Sequence, residues 1–403
     1  MLVTSSWAAS SNKFNLQPFK IDLSSQVSRM NALVKNTRLP TSDLCPEVGM
    51  ANGIELSTLE QLKNDWVTSF DWDTQQAKLN QFAHFTAEIE GLTIHFIHEK
   101  SKDPNAIPLL MLHGWPGSFQ EFQPVIEPLT QTWTNTTGGK NVSYNVVVPS
   151  LPGWDFSSPP ANNSWTVHDT ARLVDTLMTQ VLGYPTYALH ANDWGTIIGY
   201  DLYANYNTTV RAAHFLMIPF SPPTPDQIAA QNITLAPDQQ EAEGIFVDWA
   251  STGNAYFTEQ TTRPKTLGFA MYDNPVGQLS WMGWIWKNMS DPNAGIAPSQ
   301  LTNTAILTSI SLFYLTDTFY SSIYIYEQNP TPLHTVYAPP ATDAPMFFSQ
   351  FEFSPLYWPE EYIAKTGNLI SYKFYDVGGH FPSWDNPPAI IGDVREMGLY
   401  YNV

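Results

Sequence analysis

Five consecutive residues, Ala191-Asn192-Asp193-Trp194-Gly195, hold the most pointed chemistry in this chain. They follow an apolar, strand-like run from Pro185 to His190 and open a helix-like run from Thr196 to Tyr203. Small residues stand two before and two after Asp193. That is the pattern of a nucleophile elbow, a strand-to-helix turn so sharp that only small side chains fit beside the central residue. Here the central residue is an aspartate. A carboxylate at such a turn attacks carbon and becomes an ester, so the spacing points to covalent chemistry on an alkyl electrophile. The competing reading is a helix N-cap, a common job for aspartate. The small flanking residues and the central-looking strand favour the nucleophile.

Such a nucleophile needs partners. His113-Gly114-Trp115-Pro116-Gly117-Ser118 follows an apolar run at Leu109–Leu112. Its glycines allow close backbone approach. The backbone N–H groups of Trp115 and Trp194 together suit an oxyanion hole. His113, Gly114 and Pro116 are expected to support that loop rather than react. Gly378-Gly379-His380-Phe381 follows a late strand, and His380 is the best of nine histidines for the general base. The order nucleophile, acid, histidine suits this arrangement. The orienting acid is expected after the preceding strand, where Glu352 closes Met346–Phe351; Glu360, Glu361 and Asp376 are lesser choices. No His pair has metal-binding spacing with a Glu, and no glycine loop with lysine cradles a phosphate, so neither a metal nor a cofactor is expected.

The elements that position these groups alternate. Strands are expected at Ile107–Leu112, Tyr144–Val148, Thr186–Leu189 and Ala212–Ile218, with helices at Phe119–Leu129, Thr166–Val181 and Thr196–Asn205. This predicts an α/β fold with a mostly parallel sheet covered by helices on both faces. Before it, residues 1–105 form an N-terminal segment with helices at Leu23–Leu39, Thr58–Phe70 and Asp73–Phe82. A strand pair follows over Phe85–His98, turning at Glu90-Gly91. The alternation fails over residues 219–340, which read as an inserted helical cap with helices at Pro237–Ser251 and Thr302–Tyr326. It resumes over 341–403 with strands at Ala344–Phe351 and Leu369–Tyr375 and a last helix at Pro388–Tyr400. The core is thus expected in two parts, 106–218 and 341–403.

Composition narrows the partners. Eighteen basic against thirty-seven acidic residues give a net charge of −19, which disfavours nucleic acid and anionic membranes. The single cysteine, Cys45, forbids an internal disulfide and is expected as a small buried hydrophobe. Met1 to Ser10 lacks the charge and apolar core of a signal peptide. The longest apolar-leaning stretch, Ile306 to Tyr326, is interrupted by Asp317 and reads as a buried helix, not a transmembrane anchor. Six Asn-x-Ser/Thr sequons, at Asn135, Asn141, Asn162, Asn207, Asn232 and Asn288, hint at a secreted glycoprotein; a cytoplasmic location and a homodimer both stay open.

Together these motifs resemble the epoxide hydrolases of the α/β-hydrolase superfamily, in the microsomal-type branch with the fungal and juvenile-hormone enzymes. The likeness runs over nearly the whole chain. Pro18-Phe19-Lys20-Ile21, Phe70-Asp71-Trp72, Leu79-Asn80-Gln81-Phe82 and Gly91 to His98 resemble the branch's N-terminal meander. The His113–Ser118 motif implies a cis bond before Pro116. In the cap, Tyr256 to Pro264 and Asp273 to Gly277 are similar to family segments. The resemblance implies two cap tyrosines that protonate the epoxide oxygen, Tyr256 and Tyr326, with Tyr314, Tyr320 and Tyr324 close by in sequence. Three departures stand out. Ala191-Asn192 replaces the usual glycines, Asp155 stands third in Gly153-Trp154-Asp155, and Phe381-Pro-Ser-Trp-Asp385 replaces the usual small residues and Glu. Glu352 lies a residue or two off the commonest spacing to the histidine.

The expected reaction opens an epoxide to a vicinal diol through a hydroxyalkyl ester on Asp193. His380, held by Glu352, then activates water, and no cofactor takes part. The apolar, aromatic cap suits a lipophilic or aromatic epoxide. The alternatives are a non-hydrolytic rearrangement or dehydration with Asp193 as base, a haloalkane dehalogenase, and a binding protein that uses the pocket without catalysis.

Overall fold

Strands rich in Val, Leu, Phe and Tyr, punctuated by polar turns, build a nine-stranded sheet in this computed structural model, which describes residues 13–136 and 138–401. Met1 to Ser10, expected to lack a signal peptide, lies outside the described residues. The strands are β1 (Gln17–Phe19), β2 (His84–Ile89), β3 (Leu92–Glu99), β4 (Ile107–Leu112), β5 (Trp133–Thr134), β6 (Asn141–Val142), β7 (Tyr144–Pro149), β8 (Tyr187–Ala191), β9 (Val210–Phe215), β10 (Pro345–Phe353) and β11 (Asn368–Gly379). Their order is β1-β2-β3-β7-β4-β8-β9-β10-β11, with β5 and β6 forming a separate hairpin. β1, β2, β3 and β7 pair antiparallel; from β7 to β11 every pairing is parallel. Parallel strands need helical crossovers on both faces, so their side chains are buried all round. β4 and β8 at the centre accordingly read Leu-Leu-Met-Leu and Tyr-Ala-Leu-His-Ala, with no solvent exposure.

Several expected elements shift for physical reasons. The helix over Thr302–Tyr326 is three helices, Asn303–Leu315, Phe319–Ser322 and Tyr324–Gln328. Asp317 stops the first at φ 60°, with Thr318 N–H donating to the Phe313 carbonyl (3.0 Å) and Asp317 N–H to that of Tyr314 (3.2 Å). These two bonds define a Schellman cap, with aspartate in the left-handed slot glycine usually fills. The helix from Pro237 runs to Asp248 and then widens into a π-turn over Trp249–Gly253. Cys45, expected in the core, is exposed. It sits at φ 56° on the polar loop before Pro46, where no apolar face lies near enough to bury it. No helix among the described residues is long and apolar enough to cross a membrane. Five of the six sequon asparagines are exposed and Asn135 is half-buried.

A buried polar chain crosses from the N-terminal strands to the loop after β7. His84 Nε2 lies 2.8 Å from the Leu79 carbonyl, and its Nδ1 lies 2.9 Å from His95 Nε2. His95 Nδ1 is 2.8 Å from Ser150 Oγ, which is 3.2 Å from Asp155 Oδ2. With neutral imidazoles, every link is satisfied only if the protons run one way: Asp155 to Ser150, His95, His84, then the carbonyl. That direction needs a protonated Asp155, and burial pushes its carboxyl up to about 7. A second chain joins His190, His214, Ser349 and Asp393, which pairs with Lys373 at 2.6 Å.

These groups set the pH dependence of stability. Burial drives His84, His95, His98, His113, His190 and His214 below the usual imidazole range, to about 4 for His98 and His113 and about 3 for His214. Each takes up a proton more readily when unfolded, so stability is lost as pH falls below about 6.5. Burial raises Glu121 to about 8, Asp155 and Glu352 to about 7, and Asp385 to about 6. These carboxyls hold protons better when folded, so their contribution is lost as pH rises through those values. The melting temperature is therefore expected to peak between about pH 6 and 7 and fall on both sides. Thermal melts across pH 5–9 check this, and Asp155→Asn is expected to flatten the alkaline fall.

Candidate active site

At the end of β8 the chain turns through Asn192, which is extended, and Asp193, at φ 51°, into the helix Asp193–Asn205. A left-handed aspartate costs about 1–2 kcal/mol, and its surroundings enforce it. A Cβ on Gly195 would stand 2.2 Å from the Leu112 carbonyl oxygen, so no side chain fits where the helix passes β4. The strained turn lifts the Asp193 carboxylate out of the sheet. Its Oδ1 accepts a hydrogen bond from the Trp115 backbone N–H at 2.7 Å. A Cβ on Gly114 would lie 1.9 Å from that same oxygen, so the glycine is what lets the loop approach. The Trp115–Pro116 peptide is cis. The Trp194 N–H lies next along the elbow, in the first turn of the helix, where N–H groups have no partner within the helix. His113 lies behind the loop. Its Nε2 accepts from the Leu151 N–H (3.3 Å), its Nδ1 faces the Gly114 carbonyl (3.1 Å), and its low pKa keeps it neutral.

His380 follows β11, with Nε2 at 3.3 Å from Asp193 Oδ2. Its backbone is held on both sides: the N–H donates to the Met289 carbonyl (2.6 Å), and the carbonyl accepts from Asn192 Nδ2 (2.7 Å). Its buried Nδ1 has no hydrogen-bond partner. Glu352 sits near the end of β10, at a register shift, and is buried, but it makes no hydrogen bond to His380. Burial raises its carboxyl to about 7, helped by the nearby charges of Glu241, Asp238, Asp376 and Asp291. Glu360 and Glu361 open a separate short helix, and Asp376 is exposed. The carboxylates that touch the turn before His380 are two that sequence reasoning missed. Asp291 accepts from the Gly378 N–H (2.8 Å) and Asp385 from the Gly379 N–H (3.1 Å). Asp385 lies within the Phe381–Asp385 departure, which was the only signal for it.

Across the cavity stand Tyr256, on the helix Ala255–Thr262, and Tyr326, on Tyr324–Gln328. Their ring centroids are 6.4 Å apart; Trp115 stacks on Tyr256 at 6.0 Å, and Trp194 meets Tyr326 edge-on at 4.9 Å. Burial, and then the Asp193 charge, pushes both phenols above their ordinary range, so both keep their protons at neutral pH. Tyr314 instead donates to Asp273 (2.9 Å), while Tyr320 and Tyr324 bond to each other (3.0 Å). The cavity is lined by Asp193, Trp194, His380, Tyr256 and Tyr326, with Ile197, Met217, Trp249, Phe257, Leu333 and Leu356 as apolar wall. Trp249, on the π-turn, was not singled out from sequence. Among the described residues no cluster of three or more His, Cys, Asp or Glu could hold a metal ion. The site therefore presents a carboxylate, an imidazole and two phenols to one apolar cavity.

Sheet order, elbow and cap together define an α/β-hydrolase: residues 107–268 match the family described as "alpha/beta hydrolase fold" and residues 16–122 the one described as "Epoxide hydrolase N terminus". A candidate epoxide hydrolase of Stigmatella aurantiaca is 33% identical over 94% of this chain and 84% of its own length. The solved Aspergillus niger epoxide hydrolase superposes with a TM-score of 0.81 at 30% identity, covering 96% of each chain. The Bombyx mori juvenile hormone epoxide hydrolase shares the fold, with a TM-score of 0.82 at 22% identity over 96% of this chain and 95% of that one. The chain belongs to the epoxide hydrolase family, and its activity is epoxide hydrolysis.

Because Gly114 touches the Asp193 carboxylate, Gly114→Ala is expected to displace Oδ1 and lower kcat by about 10²-fold or more, the scale of a lost or misplaced oxyanion-type donor. Steady-state hydrolysis of an aryl epoxide, with circular dichroism to confirm the fold, checks this.

Proposed function

We propose that Asp193 is the nucleophile of a two-step hydrolysis. Oδ1 is engaged by the Trp115 N–H, so Oδ2 attacks an epoxide carbon from the side opposite the ring oxygen. The carbon–oxygen bond breaks, and Tyr256 and Tyr326 supply a proton to the leaving oxygen, which is general-acid assistance at a developing alkoxide. The product of this step is a hydroxyalkyl ester on Asp193. His380 then takes a proton from water, and the hydroxide formed adds to the ester carbonyl carbon. The N–H groups of Trp115 and Trp194 stabilise the resulting oxyanion, each donor worth about 3 kcal/mol. Collapse breaks the bond from the carbonyl carbon to the alkoxy oxygen, which takes the proton of the added hydroxyl. This frees the vicinal diol and restores the Asp193 carboxylate, and the proton on His380 returns to the tyrosinate. Glu352 is the acid proposed to orient His380 during turnover; in this structure the two are not hydrogen-bonded. The apolar walls suit a lipophilic or aromatic epoxide. One observation carries this reading: the Asp193 carboxylate lies between a backbone donor at 2.7 Å and an imidazole at 3.3 Å and faces two phenols across an apolar cavity.

In a single turnover in heavy-oxygen water, label is expected to enter the Asp193 carboxylate rather than the diol. Label found first in the diol would mean direct attack of water and would overturn the covalent route. Asp193→Asn is expected to abolish turnover. Tyr256→Phe and Tyr326→Phe are each expected to slow ester formation by about 10²-fold, within the range for loss of a general acid, with rapid-quench kinetics as the measurement.

A further inference from the structure

We propose that Asn192 is a positioning residue whose side-chain amide ties the nucleophile elbow to the loop that carries His380, and so sets the reach of the base. The inference rests on the covalent reading above. Asn192 is 1% exposed, and its side-chain oxygen and both amide hydrogens are engaged. Oδ1 accepts from the Asp193 N–H (2.9 Å), while Nδ2 donates both to the His380 carbonyl (2.7 Å) and to Glu121 Oε1 (3.1 Å). One amide therefore touches the backbones of both the nucleophile and the base.

The other contacts of His380 make this tether decisive. Among the described residues its Nδ1 is buried without a partner, so the acid that the ring meets is Asp193 itself, through Nε2. What fixes the residue is its backbone, pinned by Met289 on one side and Asn192 on the other. Behind Asn192, Glu121 is fully buried and pushed up to about 8, mainly by desolvation, so near pH 7 it accepts the amide as a neutral carboxyl. Gly117 leaves the room that Glu121 occupies, since a Cβ there would stand 2.3 Å from Glu121 Oε2. Few side chains can take the place of Asn192. Glycine offers no contact, serine can accept from the Asp193 N–H but cannot span to the His380 carbonyl, and aspartate has the acceptor but no donors. The departure from the usual glycines at 191–192 is thus a built contact.

The two half-reactions separate this role from a purely structural one. Ester formation needs Asp193, the Trp115 N–H and the tyrosines; ester hydrolysis needs His380 within reach of a water over the ester carbonyl. In Asn192→Ser, ester formation is expected within about threefold of the native rate. Hydrolysis is expected to be at least roughly tenfold slower, as for a base displaced by a fraction of an ångström. The ester then accumulates, visible in the intact-protein mass after rapid quenching with styrene oxide, and kcat falls while kcat/KM changes little. Asn192→Asp is expected to behave the same way. Equal slowing of both steps, or of neither, overturns the proposal. If the serine variant does not fold, Asn192→Gly takes its place with the same expected partition; loss of fold in both marks Asn192 as structural only and also overturns it. A native enzyme that turns over but never shows an ester defeats the covalent reading instead, so the two failures are distinct.

Discussion

The left-handed backbone of Asp193 is the constraint on which the rest of the structure depends. A strand that ends and a helix that begins within one residue cannot tolerate a Cβ on Gly195 against the Leu112 carbonyl, nor one on Gly114 against the carboxylate. The elbow therefore dictates small residues at two distant places. It also demands a rigid floor, supplied by β4 and β8 lying side by side at the sheet centre with no exposed side chain. The Asp193 backbone is held out of its preferred region because everything beneath it is close-packed and cannot yield.

The proposed base is positioned differently. His380 is reached by a glycine turn whose N–H groups are captured by Asp291 and Asp385, and its own backbone is clamped by Met289 and Asn192. Carboxyl groups surround the site, and burial raises three of them. Glu121, Glu352 and Asp385 are raised by burial, in a chain whose net charge is −19. Burial makes an ionised carboxylate costly, and for Glu121 the charge of Asp193 adds to that cost.

The parallel strands, the elbow, the His113–Ser118 loop and His380 were legible in sequence because each is written locally, in apolar runs and in glycines at fixed offsets. Tyr256 and Tyr326 were legible only through resemblance, since nothing in the spacing of five nearby tyrosines says which phenol faces the cavity. The structure separates them by partner: Tyr314 is taken by Asp273, and Tyr320 and Tyr324 by each other. The unbroken helix expected over Thr302–Tyr326 failed because apolar periodicity continues through Asp317 while the backbone does not. Cys45 failed because residue type outweighed its polar loop. The carboxylates beneath the His380 turn were invisible because Asp291 and Asp385 lie 94 positions apart in sequence and meet only through the fold.

The N-terminal segment has a mechanical side. Its strands extend the sheet, while its helices at Ser24–Asn36 and Leu56–Thr68 pack on the helices Pro275–Asn288 and Asn303–Leu315. Arg29 pairs with Asp273, Asn303 donates to Asp65 (2.9 Å), and the Trp284 indole N–H donates to the Met50 carbonyl (2.8 Å). One continuous piece of chain is thus fastened both to the edge of the sheet and to two helices of the cap. The segment is therefore a strap across two parts of the fold that lie far apart in sequence, as the pairing of Arg29 with Asp273 shows.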